Sequence, residues 1–102
     1  MGSLYISEYS ELAVAKNGQV IQAGVEPALA TQKITTSGTS AQSSALNAKT
    51  RFVRVHTDAI VSITFGTDPT ATTDHARLAA GQTEYFAVQP GATYKLAAIT
   101  NT

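Results

Sequence analysis

Arg51-Phe52-Val53-Arg54-Val55-His56-Thr57-Asp58-Ala59-Ile60-Val61-Ser62-Ile63-Thr64-Phe65-Gly66 is the stretch that decides the fold. Successive side chains of a β-strand point to opposite faces, so alternating hydropathy marks a strand with one buried face. In the first half Val53 and Val55 point one way, and Phe52, Arg54 and His56 the other. In the second half Val61, Ile63 and Phe65 form the apolar face, with Ser62 and Thr64 opposite. Asp58-Ala59 is the tight connection between them. The two runs are expected to form the central hairpin of an antiparallel sheet.

The same alternation continues downstream. Thr67 to Ala76 is a polar loop containing Asp68-Pro69, and Arg77 to Gln82 leads to the next strand. Thr83 to Val88 alternates, with Phe86 and Val88 as the inward pair. Gln89-Pro90-Gly91-Ala92 has the composition of a turn, and Tyr94 to Thr100 closes the chain with Tyr94, Leu96 and Ala98 on one face. Upstream, Leu4 to Tyr9 reads as a short strand or an extended arm. Lys16-Asn17-Gly18-Gln19 separates two short apolar runs; Asn-Gly in that setting predicts a type I′ hairpin turn, with a helical turn over Ser10 to Val14 as the rival. Glu26-Pro27 ends that unit, and Ala28 to Thr36 alternates as a further strand. Ser37 to Ser44 is small and polar, Gln42 to Leu46 is a weaker strand, and the Ser/Thr/Ala-rich residues 35–48 read as a mobile loop.

These runs add up to about seven or eight short strands with turn signals roughly every eight to twelve residues, the pattern of an antiparallel β-sandwich or small barrel. The fold class is therefore all-β, a sandwich or jelly-roll-like arrangement, with immunoglobulin-like and partial-barrel topologies equally compatible. The 102 residues fit a single domain over 1–102, with residues 1–10 as an N-terminal arm. The chain has no Cys, which excludes disulfide and thiolate-metal frameworks. Seven basic and seven acidic residues cancel. That balance argues against nucleic acid as partner, because phosphate neutralisation needs a basic excess, and it favours association. No apolar run reaches the roughly 20 residues of a membrane span, and no secretory signal is visible.

The chemistry-bearing residues form no strong motif. His56 and Asp58 lie two apart and could share a face, but no nucleophile turn accompanies them, and a surface polar pair is the simpler reading. Asp68, Asp74 and His75 could contribute metal ligands from one loop, yet their spacing matches no established metal loop. Glu8, Glu11, Glu26 and Glu84 lie on separate segments, so a paired-carboxylate site has no local support. No catalytic residue, cofactor or metal is expected. The aromatics carry more: Tyr5, Tyr9, Tyr85 and Tyr94 include rings placed away from the core, suited to a protein interface or a sugar-stacking platform, or to half-buried packing on a sandwich edge.

Arg51 to Ile99, with its Arg-Phe-Val-Arg-Val-His-Thr-Asp-Ala strand, Gly-Thr-Asp-Pro loop, Ala-Ala-Gly-Gln turn and Pro-Gly-Ala-Thr-Tyr-Lys-Leu closing strand, resembles small structural proteins of tailed bacteriophages and prophages. The Ser3-Leu4-Tyr5-Ile6-Ser7-Glu8-Tyr9 start and the Glu26-Pro27-Ala28 step fit the same group. The resemblance implies a capsid decoration or cement protein that binds major capsid subunits as a homo-oligomer, a dimer or trimer. It would be made in the bacterial host cytoplasm and located on the capsid surface of the virion. On this reading Leu4, Tyr5, Ile6, Tyr9 and Tyr85 are the expected interface residues, and nucleic acid and membrane are not partners. The alternatives are a carbohydrate- or receptor-binding module of a tail fibre or adhesin, and a head–tail completion protein.

Overall fold

A computed structural model describes residues 2–90 and 93–101. Among these, ten strands form and no helix does. Eight strands build two antiparallel four-stranded sheets that face each other. Sheet I has the order β4-β1-β6-β9, from β1 (Ser3–Tyr9), β4 (Ala30–Thr35), β6 (Phe52–Thr57) and β9 (Thr83–Ala87). Sheet II has the order β5-β10-β7-β8, from β5 (Ala41–Gln42), β7 (Val61–Gly66), β8 (Ala76–Leu78) and β10 (Lys95–Thr100). The remaining two, β2 (Leu12–Val14) and β3 (Val20–Gly24), pair only with each other.

The core lies where the period-two pattern places it. Sheet I contributes Leu4, Ile6, Ile34, Val53 and Val55; sheet II contributes Val61, Ile63, Leu78, Leu96 and Ala98. Phe65 and Phe86 meet across the layers at 5.5 Å between ring centroids. Each fully buried aliphatic side chain stabilises the fold by roughly 1.5–3 kcal/mol before chain entropy is counted.

Several expectations are corrected. β6 and β7 do not pair: β6 lies between β1 and β9, and β7 between β10 and β8. The Asp58–Ile60 connection crosses from one sheet to the other, held by the Asp58 amide on the Ser3 carbonyl (3.1 Å) and by Thr57 Oγ1, which donates to the Ala59 carbonyl (2.6 Å). Alternation reports an inward face, and two such faces can lie side by side or look at each other. Of the two readings of Leu4 to Tyr9, short strand and extended arm, the strand is the one that forms. β1 is an inner strand, paired with β4 on one side and β6 on the other.

The Asn17-Gly18 hairpin forms, but not with a type I′ turn, which needs positive φ at both residues. Only Gly18 has it (φ 86°), and no non-glycine residue among those described does. The Gly18 amide closes on the Ala15 carbonyl (2.9 Å), and the Ala15 amide donates to Gln19 O (2.7 Å). This is a three-residue loop ending in a left-handed glycine. The rival helical turn falls on strand β2 instead. The turn expected at 89–92 includes Gly91 and Ala92, which lie outside the described residues.

The Ser/Thr-rich segment read as a mobile loop is packed. Thr36, Ser43 and Leu46 are buried in it, as is Thr50 just beyond it. Its anchor is Glu8, itself 0 % exposed. One carboxylate oxygen accepts from the Asn47 amide (2.7 Å) and Thr50 Oγ1 (2.9 Å), and the other from Gln32 Nε2 (3.0 Å). Gln32 Oε1 in turn accepts from the Ser44 amide (2.8 Å). A buried carboxylate is tolerated when its oxygens are satisfied, and here three donors do so.

Candidate functional site: a projecting hairpin and an open sheet face

The two outer faces of the sandwich differ. On sheet II, Ser62 and Ala97 point away from the core, yet both are 0 % exposed. The loop 67–75 folds back over them, with Pro69 and Ala71 buried. Gln42 Nε2 donates to the Pro69 carbonyl and to Asp68 Oδ1 (both 2.8 Å), Ser40 Oγ accepts from the Ala71 amide (2.8 Å), and Asn101 Nδ2 donates to Ser62 Oγ (2.7 Å) and the Thr73 carbonyl (3.2 Å). On sheet I, Tyr5, Thr31, Lys33 and Tyr85 of the outer face are exposed, with no such cover among the described residues.

That open face is a grid set by the strand register. One row reads Lys33, Tyr5, His56, Thr83 across β4, β1, β6 and β9; the next reads Thr31, Ser7, Arg54, Tyr85. Lys33 Nζ stands 5.7 Å from the centroid of the Tyr5 ring, and the His56 ring lies 6.5 Å from it on the other side. His56 Nδ1 is 2.8 Å from Thr83 Oγ1, which fixes the imidazole.

At the next row, Tyr9 and Phe52 stack at 5.2 Å with planes 19° apart, and the hairpin β2–β3 closes over them. Gly24 is what permits this closeness: a Cβ there would overlap the Tyr9 ring. The Tyr9 hydroxyl donates to Glu26 Oε2 at 2.6 Å. That hydrogen bond, together with burial and the Glu26 charge, raises the Tyr9 pKa above the ordinary tyrosine value. The Val25 amide bonds the Glu11 carbonyl (3.2 Å), so the base of the hairpin is tied while its length is not.

Beyond that base the hairpin stands out from the sandwich. The molecule measures 47 × 27 × 20 Å, whereas a six-residue strand spans only about 20 Å. Seven large apolar side chains are exposed among the described residues. Val14 (62 %), Val20 (59 %), Ile21, Val25 and Leu29 lie on the hairpin or the segment leaving it, and Tyr5 and Tyr85 (56 %) lie on the open face. Between hairpin and sheet runs a groove of about 460 Å³, with Leu12 and Ala23 on one wall and Phe52, Tyr85 and Phe86 on the other.

The sequence-expected interface residues are thus divided. Tyr5 and Tyr85 share the open face. Leu4 (0 %) and Ile6 (1 %) are core residues of an inner strand, and Tyr9 (5 %) is covered by the hairpin, so the side chains of these three are buried within the chain itself. Alternation alone placed Leu4 and Ile6 on one face; what it lacked was the position of β1 within the sheet. The exposed Val14, Val20 and Ile21 have only a weak sequence signal, two short apolar runs flanking Asn17-Gly18.

The other candidates serve the fold. Asp58 Oδ1 accepts from the Ser3 amide, and His75 Nδ1 accepts from the Thr72 amide (3.0 Å). Asp68 is held by Gln42, Glu84 accepts from Gln82 Nε2 (3.1 Å), and Tyr94 packs against the core. Among the described residues no group of three His, Cys, Asp or Glu side chains converges to hold a metal ion. Comparison with protein-family models, curated proteins and solved structures gave no match.

Proposed function

We propose that this protein is a structural protein of a phage particle, a homo-oligomer that decorates or cements the capsid by binding major capsid subunits, and that the β2–β3 hairpin makes the contact between copies. The observation that carries the assembly part is the hairpin itself. An isolated two-stranded hairpin is marginal in water, and exposed apolar patches on a soluble protein mark interaction surfaces. Val14, Val20 and Ile21 gain burial only against another molecule. A net charge of zero removes the long-range repulsion that would oppose such packing. The phage and capsid part rests on the resemblance of Arg51 to Ile99 to phage structural proteins.

The test is reconstitution. Capsids assembled without this protein are mixed with the purified chain, and bound protein and heat release of the packaged genome are measured. Saturable binding with a higher release temperature is expected; no binding and no change in shell stability would overturn the reading.

A further inference from the structure

We propose that the open outer face of sheet I binds a carboxylated oligosaccharide, at a site distinct from the hairpin contact. The face has three kinds of side chain in a fixed array. Tyr5 and Tyr85 are flat rings, 43 % and 56 % exposed. From the register they stand two strands and one row apart, about 12 Å, using about 4.8 Å between strands and about 6.8 Å between same-face neighbours. Lys33 and Arg54 are cations, one beside each ring: Lys33 over Tyr5, and Arg54 directly opposite Tyr85. Ser7, Thr31, Thr83 and His56 fill the remaining positions of the two rows with polar groups.

No carboxylate occupies these rows. Glu84 pairs with Val55 and so sits on the other face of β9, and Asp58 at the rim is engaged by the Ser3 amide. These two rows thus carry two cations and no carboxylate; Glu26, in the next row, is engaged by the Tyr9 hydroxyl. A shallow depression of about 330 Å³ between β1 and β4, lined by Tyr5, Ser7, Thr31 and Lys33, falls within the roughly 300–1,000 Å³ range of small-ligand sites.

The chemistry selects among anionic partners. A sugar ring offers C–H bonds to an aromatic face and hydroxyls to polar side chains, and its carboxylate pairs with a guanidinium or ammonium group. The alternation of ring, hydroxyl and cation on this grid supplies all three. A single-stranded nucleic acid would present a phosphate at every unit, and two cations are too few for that charge density. A protein surface would need an apolar centre, and these two rows hold no aliphatic side chain. Two rings about 12 Å apart exceed the reach of one sugar, so the ligand is a chain.

The experiment is titration calorimetry of the full chain against a panel of sialylated and uronic-acid oligosaccharides, their carboxyl-reduced counterparts and a short single-stranded DNA. Binding to at least one acidic oligosaccharide is expected, weakened about tenfold or more by carboxyl reduction and by Arg54→Ala or Tyr85→Ala. Arg54→Lys and Tyr85→Phe should retain most of the affinity. Val20→Ser, on the hairpin, should leave it unchanged, which separates this site from the assembly contact. Thermal melting of each variant verifies folding. Silence across the whole panel, equal affinity for the reduced sugars, tighter binding of the DNA, or indifference to Arg54→Ala and Tyr85→Ala would each overturn the proposal.

Discussion

Glu8 and Tyr9 are adjacent in sequence and do opposite jobs on opposite faces of one strand. Glu8 points inward and ties the segment 43–50 to sheet I through the Asn47 amide and Thr50 hydroxyl. Glu8→Ala leaves both donors without their acceptor in a buried place, at about 1–3 kcal/mol for each. Chemical denaturation should show a correspondingly lower midpoint, with Glu8→Gln falling between the two. Tyr9 points outward and holds the hairpin base through Glu26. Its pKa is raised in the folded state, so its neutral form is the one that folding favours. The stability it contributes is fully present below the unfolded value of 10.0 and is lost as pH rises through the higher folded value. A spectrophotometric titration should find Tyr9 ionising above the ordinary tyrosine value, and Glu26→Ala should bring it back toward that value.

At the scale of elements, the hairpin β2–β3 couples a rigid base to an exposed tip. Gly24→Ala forces the β3 backbone away from the Tyr9 ring. Hydrogen exchange should then speed up at the Val25 amide, which bonds the Glu11 carbonyl, while the Val53 and Val55 amides in the sheet stay protected. Gly18→Val places a β-branched residue at φ 86° and should weaken the hairpin without affecting the sandwich core. Strand content was legible from local sequence here because period-two patterning is local. Strand partnership was not. Leu4 and Ile6 look the same on an edge arm as on an inner strand, and Val53/Val55 and Val61/Ile63 look the same whether their strands pair or face each other. The packing of residues 36–50 was hidden for a similar reason, since their anchor, Glu8, lies 39 and 42 residues away in sequence from Asn47 and Thr50.

For the whole molecule the informative contrast is between its two faces. Sheet II covers its outer side with its own loop, in which Pro69 and Ala71 are buried. Sheet I leaves Tyr5, Lys33, Arg54 and Tyr85 in a regular grid and projects a hairpin beside it. The grid was half visible in the sequence: Tyr5 and Tyr85 were selected as exposed aromatics, but their shared face depends on β1 and β9 flanking β6, a non-local fact. The composition, neutral in total, concealed a cationic face, because charge balance is a property of the chain and charge segregation is a property of the fold.

If the hairpin joins copies of this chain, solution mass by light scattering reads it out. It would compare the wild-type protein with the triple variant Val14→Ser, Val20→Ser, Ile21→Ser. Each substitution removes roughly 1–2 kcal/mol of apolar burial from the contact while leaving the sandwich core untouched. The wild type should scatter as an oligomer and the variant as a folded monomer. A wild-type monomer, or a variant with the wild-type mass, would contradict it.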